Sequence, residues 1–129
     1  MSKKKSLECP CGGILFSACC EPFLLGKKPA GTAEQLMRSR YCAYTQNLDA
    51  YLLATWHSST RPPQLNTRED GDLKWLGLAV GKCETAGDTA YVSFVARFRE
   101  PGGGAAQRLS ERSRFLREDG LWFYVDGEF

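Results

Sequence analysis

The sequence predicts an α+β fold, with N-terminal helices packed on one face of a curved antiparallel sheet and a small cysteine-rich segment in front. Three observations carry this. Apolar residues recur at helical spacing as far as Trp56, and from Leu73 onward they alternate with period two. Four of the six cysteines crowd into residues 9–20. A chain of 129 residues can bury one real core and carry a small appendage. It divides into residues 1–31 (tail, cysteine segment and linker) and a main domain over 32–129.

The cysteines stand as Cys9-Pro10-Cys11 and Cys19-Cys20. Two close pairs joined by a short glycine-bearing loop can wrap four thiolates around one tetrahedral ion. Zinc suits soft sulfur ligands in a closed shell and needs no redox role. A segment this small buries no core of its own, so a bound metal would replace one. Free or disulfide-linked cysteines are the alternative. Cys42 and Cys83 lie far from the cluster in sequence and read as small, semi-buried side chains.

Residues 1–31 otherwise read as irregular. A helix start follows at Thr32, with Gln35 as its capping-box partner. Ala33, Leu36, Met37, Tyr41, Tyr44 and Leu48 then share one face. Asn47 and Asp49 interrupt this helix, and Asp49 is placed to cap a second one in which Leu48, Tyr51, Leu52, Thr55 and Trp56 continue the pattern. Pro62 and Pro63 end the helical part, and residues 57–72 read as a polar loop. Four strands are expected over Leu73–Cys83, Thr89–Arg99, Ala106–Arg117 and Leu121–Val125. Gly87-Asp88, the Pro101–Gly104 run and Asp119-Gly120 supply the turns. Helices first and a meander afterwards give the α+β layering.

Composition excludes some classes of function. The formal net charge of +2 is too small to argue for nucleic acid, and Lys3-Lys4-Lys5 is a solvated tail. No apolar run approaches the roughly 20 residues that span a bilayer. No hydrophobic leader precedes the cysteines, so a reducing cytoplasm is expected, where clustered cysteines are metal ligands more often than disulfides. Walker, dinucleotide-binding and nucleophile-elbow motifs are absent.

Chemistry in the main domain centres on the third strand. Its outward face reads Arg108, Ser110, Arg112, Arg114, which leaves Glu111 and Ser113 pointing inward between Leu109 and Phe115. A buried carboxylate needs a partner or a proton. Arg40 lies inside the apolar stripe of the first helix, whereas Arg38 points nearly opposite, so Arg40 is expected to face the sheet and pair with Glu111. That pair is either a structural tie of helix to sheet or the polar floor of a ligand pocket completed by Tyr41, His57 and Ser113. His57, the only histidine, has no nucleophile or orienting carboxylate at recognisable spacing, and reads as a helix-end residue bonded locally. Trp75, Phe94, Phe98, Phe115, Trp122 and Tyr124 read first as core and second as walls of a cavity.

The Cys9–Gly12 start and the Cys19-Cys20 close resemble the SEC-C motif, named for the metal-binding C-terminus of a bacterial translocation motor. Its four ligands map onto Cys9, Cys11, Cys19 and Cys20. The spacer between the second and third ligands is seven residues here instead of eight, and Ile14-Leu15-Phe16-Ser17 replaces a lysine-rich stretch. The rest of the chain resembles the YchJ-like bacterial family. The matching stretches are Leu36–Tyr44, Thr55-Trp56-His57, Trp75–Leu78, Val92–Phe98, Glu111–Phe115 and Trp122–Gly127. The resemblance implies an NTF2-like fold, a cone-shaped sheet cupped around helices, with the zinc motif attached. Many members carry a histidine where this chain has Ser110, which weakens the case for chemistry.

The expected function is therefore a cytoplasmic zinc-binding protein acting as an interaction or adaptor module. Ile14, Leu15 and Phe16 would meet a protein partner, or would dock the segment onto the main domain. The rival expectation is a small-molecule binder or enzyme using the cone interior, with Glu111 as acid or base and Arg40, Tyr41 and His57 beside it. An open cavity reaching Glu111 separates the two.

Overall fold

A computed structural model of the chain describes residues 8–13, 15–67 and 73–128. The lysine tail, Ile14 and the end of the polar loop at 68–72 lie outside the described residues, as does Phe129.

Among its described residues, the segment expected to be irregular contains two short helical pieces, a 3₁₀ turn at Phe16–Ala18 and helix α1 at Glu21–Leu24. Pro22 stands in the first turn of α1, where its fixed φ suits a helix and its missing N–H costs nothing. The main helix α2 spans Ala33–Gln46. Thr32 caps it by accepting the Gln35 N–H at 3.1 Å. Gln35 in turn reaches one residue further back than a capping box would, and its Oε1 accepts the Gly31 N–H at 2.7 Å. Asn47 ends α2 in the left-handed region at φ 57°, and the Leu48 N–H closes on the Ala43 carbonyl.

Helix α3 spans Asp49–Ala54 and departs from expectation at both ends. Leu48 holds the capping position, while Asp49 sits inside the first turn and accepts the Thr67 hydroxyl at 2.7 Å. Trp56 does not continue the helix. The backbone there turns to pair with the last strand, since Tyr124 donates to the Thr55 carbonyl and His57 donates to the Tyr124 carbonyl. A strand edge with unpaired groups outcompeted the next helical turn.

The four strands run β1 Lys74–Ala86, β2 Thr89–Arg99, β3 Gln107–Glu118 and β4 Leu121–Glu128, all antiparallel in the order β1-β2-β3-β4. Asp119 and Gly120 both take positive φ, as a type I′ hairpin demands. β4 runs three residues past its expected end because Asp126, Gly127 and Glu128 pair with Arg114, Ser113 and Arg112. Register shifts in β1 after Trp75 and after Val80, and in β3 after Arg114, supply the curvature. The concave face holds the core: Ala33, Leu36 and Met37 of α2 and Phe23 of α1 pack against Ala90, Val92, Phe115 and Trp122. Through Phe23 the N-terminal segment shares this core. Fully burying a side chain such as Phe115 contributes roughly 1.5–3 kcal/mol.

Candidate metal centre and interior cavity

Backbone turns bring the two cysteine pairs together. The Gly12 N–H closes on the Cys9 carbonyl at 3.0 Å and the Cys19 N–H on the Phe16 carbonyl at 3.0 Å. Gly12 takes φ 104°, which favours glycine. Gly13 is required for space, because a Cβ there would lie 2.7 Å from the Cys19 Sγ. Arg38, expected to point away, instead reaches the segment. Its Nη1 donates to the Cys11 carbonyl at 2.9 Å while its Nε pairs with Glu34.

The sulfur atoms of Cys9, Cys11, Cys19 and Cys20 all lie within 4.8 Å of one another. Neighbouring pairs are 3.4 Å (Cys9–Cys11), 3.5 Å (Cys11–Cys19) and 3.9 Å (Cys19–Cys20) apart. Four ligands at the usual Zn–S length of about 2.3 Å stand about 3.8 Å apart at tetrahedral corners. No disulfide joins them, and Cys9, Cys11 and Cys20 are buried while Cys19 is half-buried. Among themselves the thiols share charge unequally. Hydrogen bonds from Cys20 and then Cys42 hold Cys11 well below the ordinary thiol range, and burial pushes Cys19 up to about 12. The cluster is thus placed and composed for metal binding.

Cys42, expected to be a small semi-buried side chain, lies fully buried on α2 with its Sγ 3.5 Å from that of Cys9. No spacing rule links residue 42 to residue 9, and the available signal was only that Cys42 adjoins the stripe residue Tyr41. Cys83, also expected to be semi-buried, is exposed near the end of β1.

Between α2 and the concave sheet lies a cavity of about 300 Å³. Arg40, Tyr41, Glu111 and Ser113 line it, with Trp75, Phe94 and Tyr124 among its walls. Two expectations are corrected. Arg40 faces the sheet but is not paired with Glu111. Its Nη1 donates to the Leu52 carbonyl at 2.8 Å and the Thr55 hydroxyl at 2.7 Å, so the end of α3 captures it first. Its guanidinium also stacks on Tyr124 and Trp56, 4.6 and 5.1 Å from the ring centroids. Glu111 instead accepts the Ser113 hydroxyl at 2.6 Å, with the Tyr124 hydroxyl 3.4 Å away. Its carboxylate fits only because residue 127 is glycine, since a Cβ there would overlap it.

His57 is the second correction, for it is not among the residues lining the cavity. The bridge to β4 turns it away from the cavity while keeping it buried, and there Nε2 meets the Glu118 carboxylate at 2.7 Å and Nδ1 meets the Ser59 hydroxyl at 2.7 Å. The carboxylate partner that spacing could not identify is 61 residues away, at the β3–β4 hairpin.

Comparison with known proteins agrees with this architecture. A family model described as the middle NTF2-like domain of YchJ matches residues 32–127. A UPF0225 protein from Chromobacterium violaceum is 52% identical over 132 residues, covering 98% of this chain and 96% of that protein. Another from Xanthomonas campestris is 50% identical and covers 92% of each. The solution structure of a SEC-C motif containing protein from Rhodopseudomonas palustris aligns with a TM-score of 0.84 at 34% identity, covering 94% of this chain and 97% of that one. The crystal structure of a SEC-C motif containing protein from Psychrobacter arcticus aligns at 0.76 with 26% identity, covering 92% and 80%. With sequence relatives along nearly its full length and the same fold in both solved structures, the chain belongs to the YchJ-like, UPF0225 family.

Proposed function

We propose that Cys9, Cys11, Cys19 and Cys20 hold one structural Zn²⁺, and that the segment so fixed serves as a protein-interaction module on the NTF2-like domain. The observation that carries the reading is the convergence of four unpaired thiols within 4.8 Å. Sulfur ligands in a closed, largely buried shell favour zinc over harder cations. Phe16 packs toward the buried cysteines and Tyr41, so it docks the segment, whereas Leu15 (42% exposed) and Leu25 (60%) flank it and face outward. These two apolar side chains are the surface offered to a partner protein. Ile14, the third residue expected there, lies outside the described residues.

The test is the metal content of protein purified under reducing conditions, beside a Cys19→Ser, Cys20→Ser double variant. One zinc per chain, lost in the variant, supports the site. Fully reduced protein without metal refutes it.

A second reading is favoured by one observation, the open cavity reaching Glu111. A buried guanidinium with no carboxylate partner among the described residues and a carboxylate across an aromatic chamber suit a small apolar ligand with polar ends. Saturable NMR shifts of the Trp75 indole in a fragment screen, abolished by Ser113→Leu, would support this reading. An unresponsive indole would reject it.

A further inference from the structure

We propose that Cys42 is a fifth ligand of the metal centre, able to take the coordination position left when Cys19 lets go. The inference rests on the zinc reading above and goes beyond its four-cysteine set. Five thiols, not four, converge at the junction of the N-terminal segment and α2. The Cys42 Sγ lies 3.5 Å from that of Cys9, and Cys42 packs in one buried cluster with Cys9, Cys11 and Cys20. These are the three ligands besides Cys19.

Burial divides the five in the same way. Cys9, Cys11, Cys20 and Cys42 are buried, while Cys19 is the only one of them in partial contact with solvent. Two four-sulfur sets therefore share three members. One closes through Cys19, on the exposed rim; the other closes through Cys42, inside the protein. Cys42 stands in the C-terminal half of α2, the long helix of the main domain, so its thiol is held in place whatever the segment does. Loss of Cys19 from its place leaves a soft, desolvated sulfur already packed against the three remaining ligands, and no water has to enter.

The exchange balances without any outside reactant. The metal–sulfur bond to Cys19 breaks and one to Cys42 forms. The thiol proton leaves Cys42 and ends on Cys19. Four thiolates surround the ion before and after, so the net charge of the centre stays at −2. What changes is mechanical and chemical. In the Cys42 form the metal ties the segment directly to α2, and the Cys19 thiol is free and accessible to other thiol reagents or an incoming metal acceptor.

The experiment measures zinc affinity by competition with a chromophoric chelator for wild type, Cys11→Ser, Cys19→Ser, Cys42→Ser and the Cys19→Ser, Cys42→Ser pair. X-ray absorption on the zinc-loaded Cys19→Ser protein then counts its sulfur ligands. The proposal expects each of Cys19→Ser and Cys42→Ser to stay within about tenfold of wild type, and the pair and Cys11→Ser to weaken by about a hundredfold or more. It expects four sulfurs around zinc in Cys19→Ser. If Cys19→Ser binds as poorly as Cys11→Ser, or holds zinc with three sulfurs and one oxygen, Cys42 is not a ligand. Wild type that binds no zinc would instead remove the zinc reading itself. Unfolding of the pair does not rescue or sink the idea, because the sulfur count in Cys19→Ser decides it.

Discussion

Replacing Arg40 with methionine asks whether its buried charge serves the fold or awaits a ligand. Arg40 is 5% exposed, and its guanidinium has no carboxylate within ion-pair distance among the described residues. Burial accordingly lowers its pKa, so the charge is carried at a cost. Against that stand two hydrogen bonds from the charged group to the end of α3, each contributing about 1.5–3 kcal/mol. Stacking on two aromatic rings adds about 0.5–2 kcal/mol per ring. The carbonyl end of α3 also favours a cation. Methionine keeps the stem volume, relieves the desolvation and leaves the Leu52 carbonyl only the long 3.4 Å bond from the Thr55 hydroxyl, for a net loss of about 2–4 kcal/mol. Urea unfolding followed by tryptophan fluorescence, with zinc held constant, measures this. Arg40→Met within about 0.5 kcal/mol of wild type, the scale of an ordinary surface change, would refute a structural role and assign the charge to the cavity's ligand.

Three further outcomes are expected. Gly13→Ala pushes a Cβ toward the Cys19 sulfur and should weaken zinc binding measurably, by no more than the roughly tenfold expected for Cys19→Ser, while leaving the main domain folded, read by chelator competition beside far-UV circular dichroism. Gly127→Ala drives a methyl into the Glu111 carboxylate; a loss of about 1–3 kcal/mol in urea is expected, and Glu111→Ala in the same chain should recover most of it. Burial raises the Tyr41 phenol from 10.0 to about 12, although a backbone hydrogen bond with Gly77 pulls the other way. The unfolded phenol ionises first as pH rises, so the stability Tyr41 contributes is fully present below pH 10 and is lost between pH 10 and about 12. Tyr41→Phe should flatten that part of the alkaline stability profile, and an unchanged slope would contradict the burial argument.

Local signals made most of the fold legible. Thr32 and Gln35, the positive-φ turn at Asp119-Gly120 and the change of period at Leu73 are short-range features, and the structure places an element boundary at or near each. The cysteine pairs were legible for the same reason, since all four thiols lie within twelve residues. What stayed hidden depends on chain segments meeting in space. The bridge between Trp56 and Tyr124 ended α3 early and turned His57 to Glu118, and no helical wheel contains β4. Arg40 was placed on the correct face, but its donors went to the α3 carbonyl end, which sequence spacing could not rank against Glu111. Cys42 beside Cys9 is the most consequential miss, because a single cysteine in a helix looks like any small apolar residue until its neighbour is known.

X-ray absorption at the zinc edge of protein as purified under reducing conditions tests the central claim most directly, because it reads metal and ligand set together. Four sulfur neighbours at about 2.3 Å are expected. A shell dominated by oxygen or nitrogen, or no zinc signal from fully reduced protein, would contradict the assignment of the cysteine cluster as a structural metal centre.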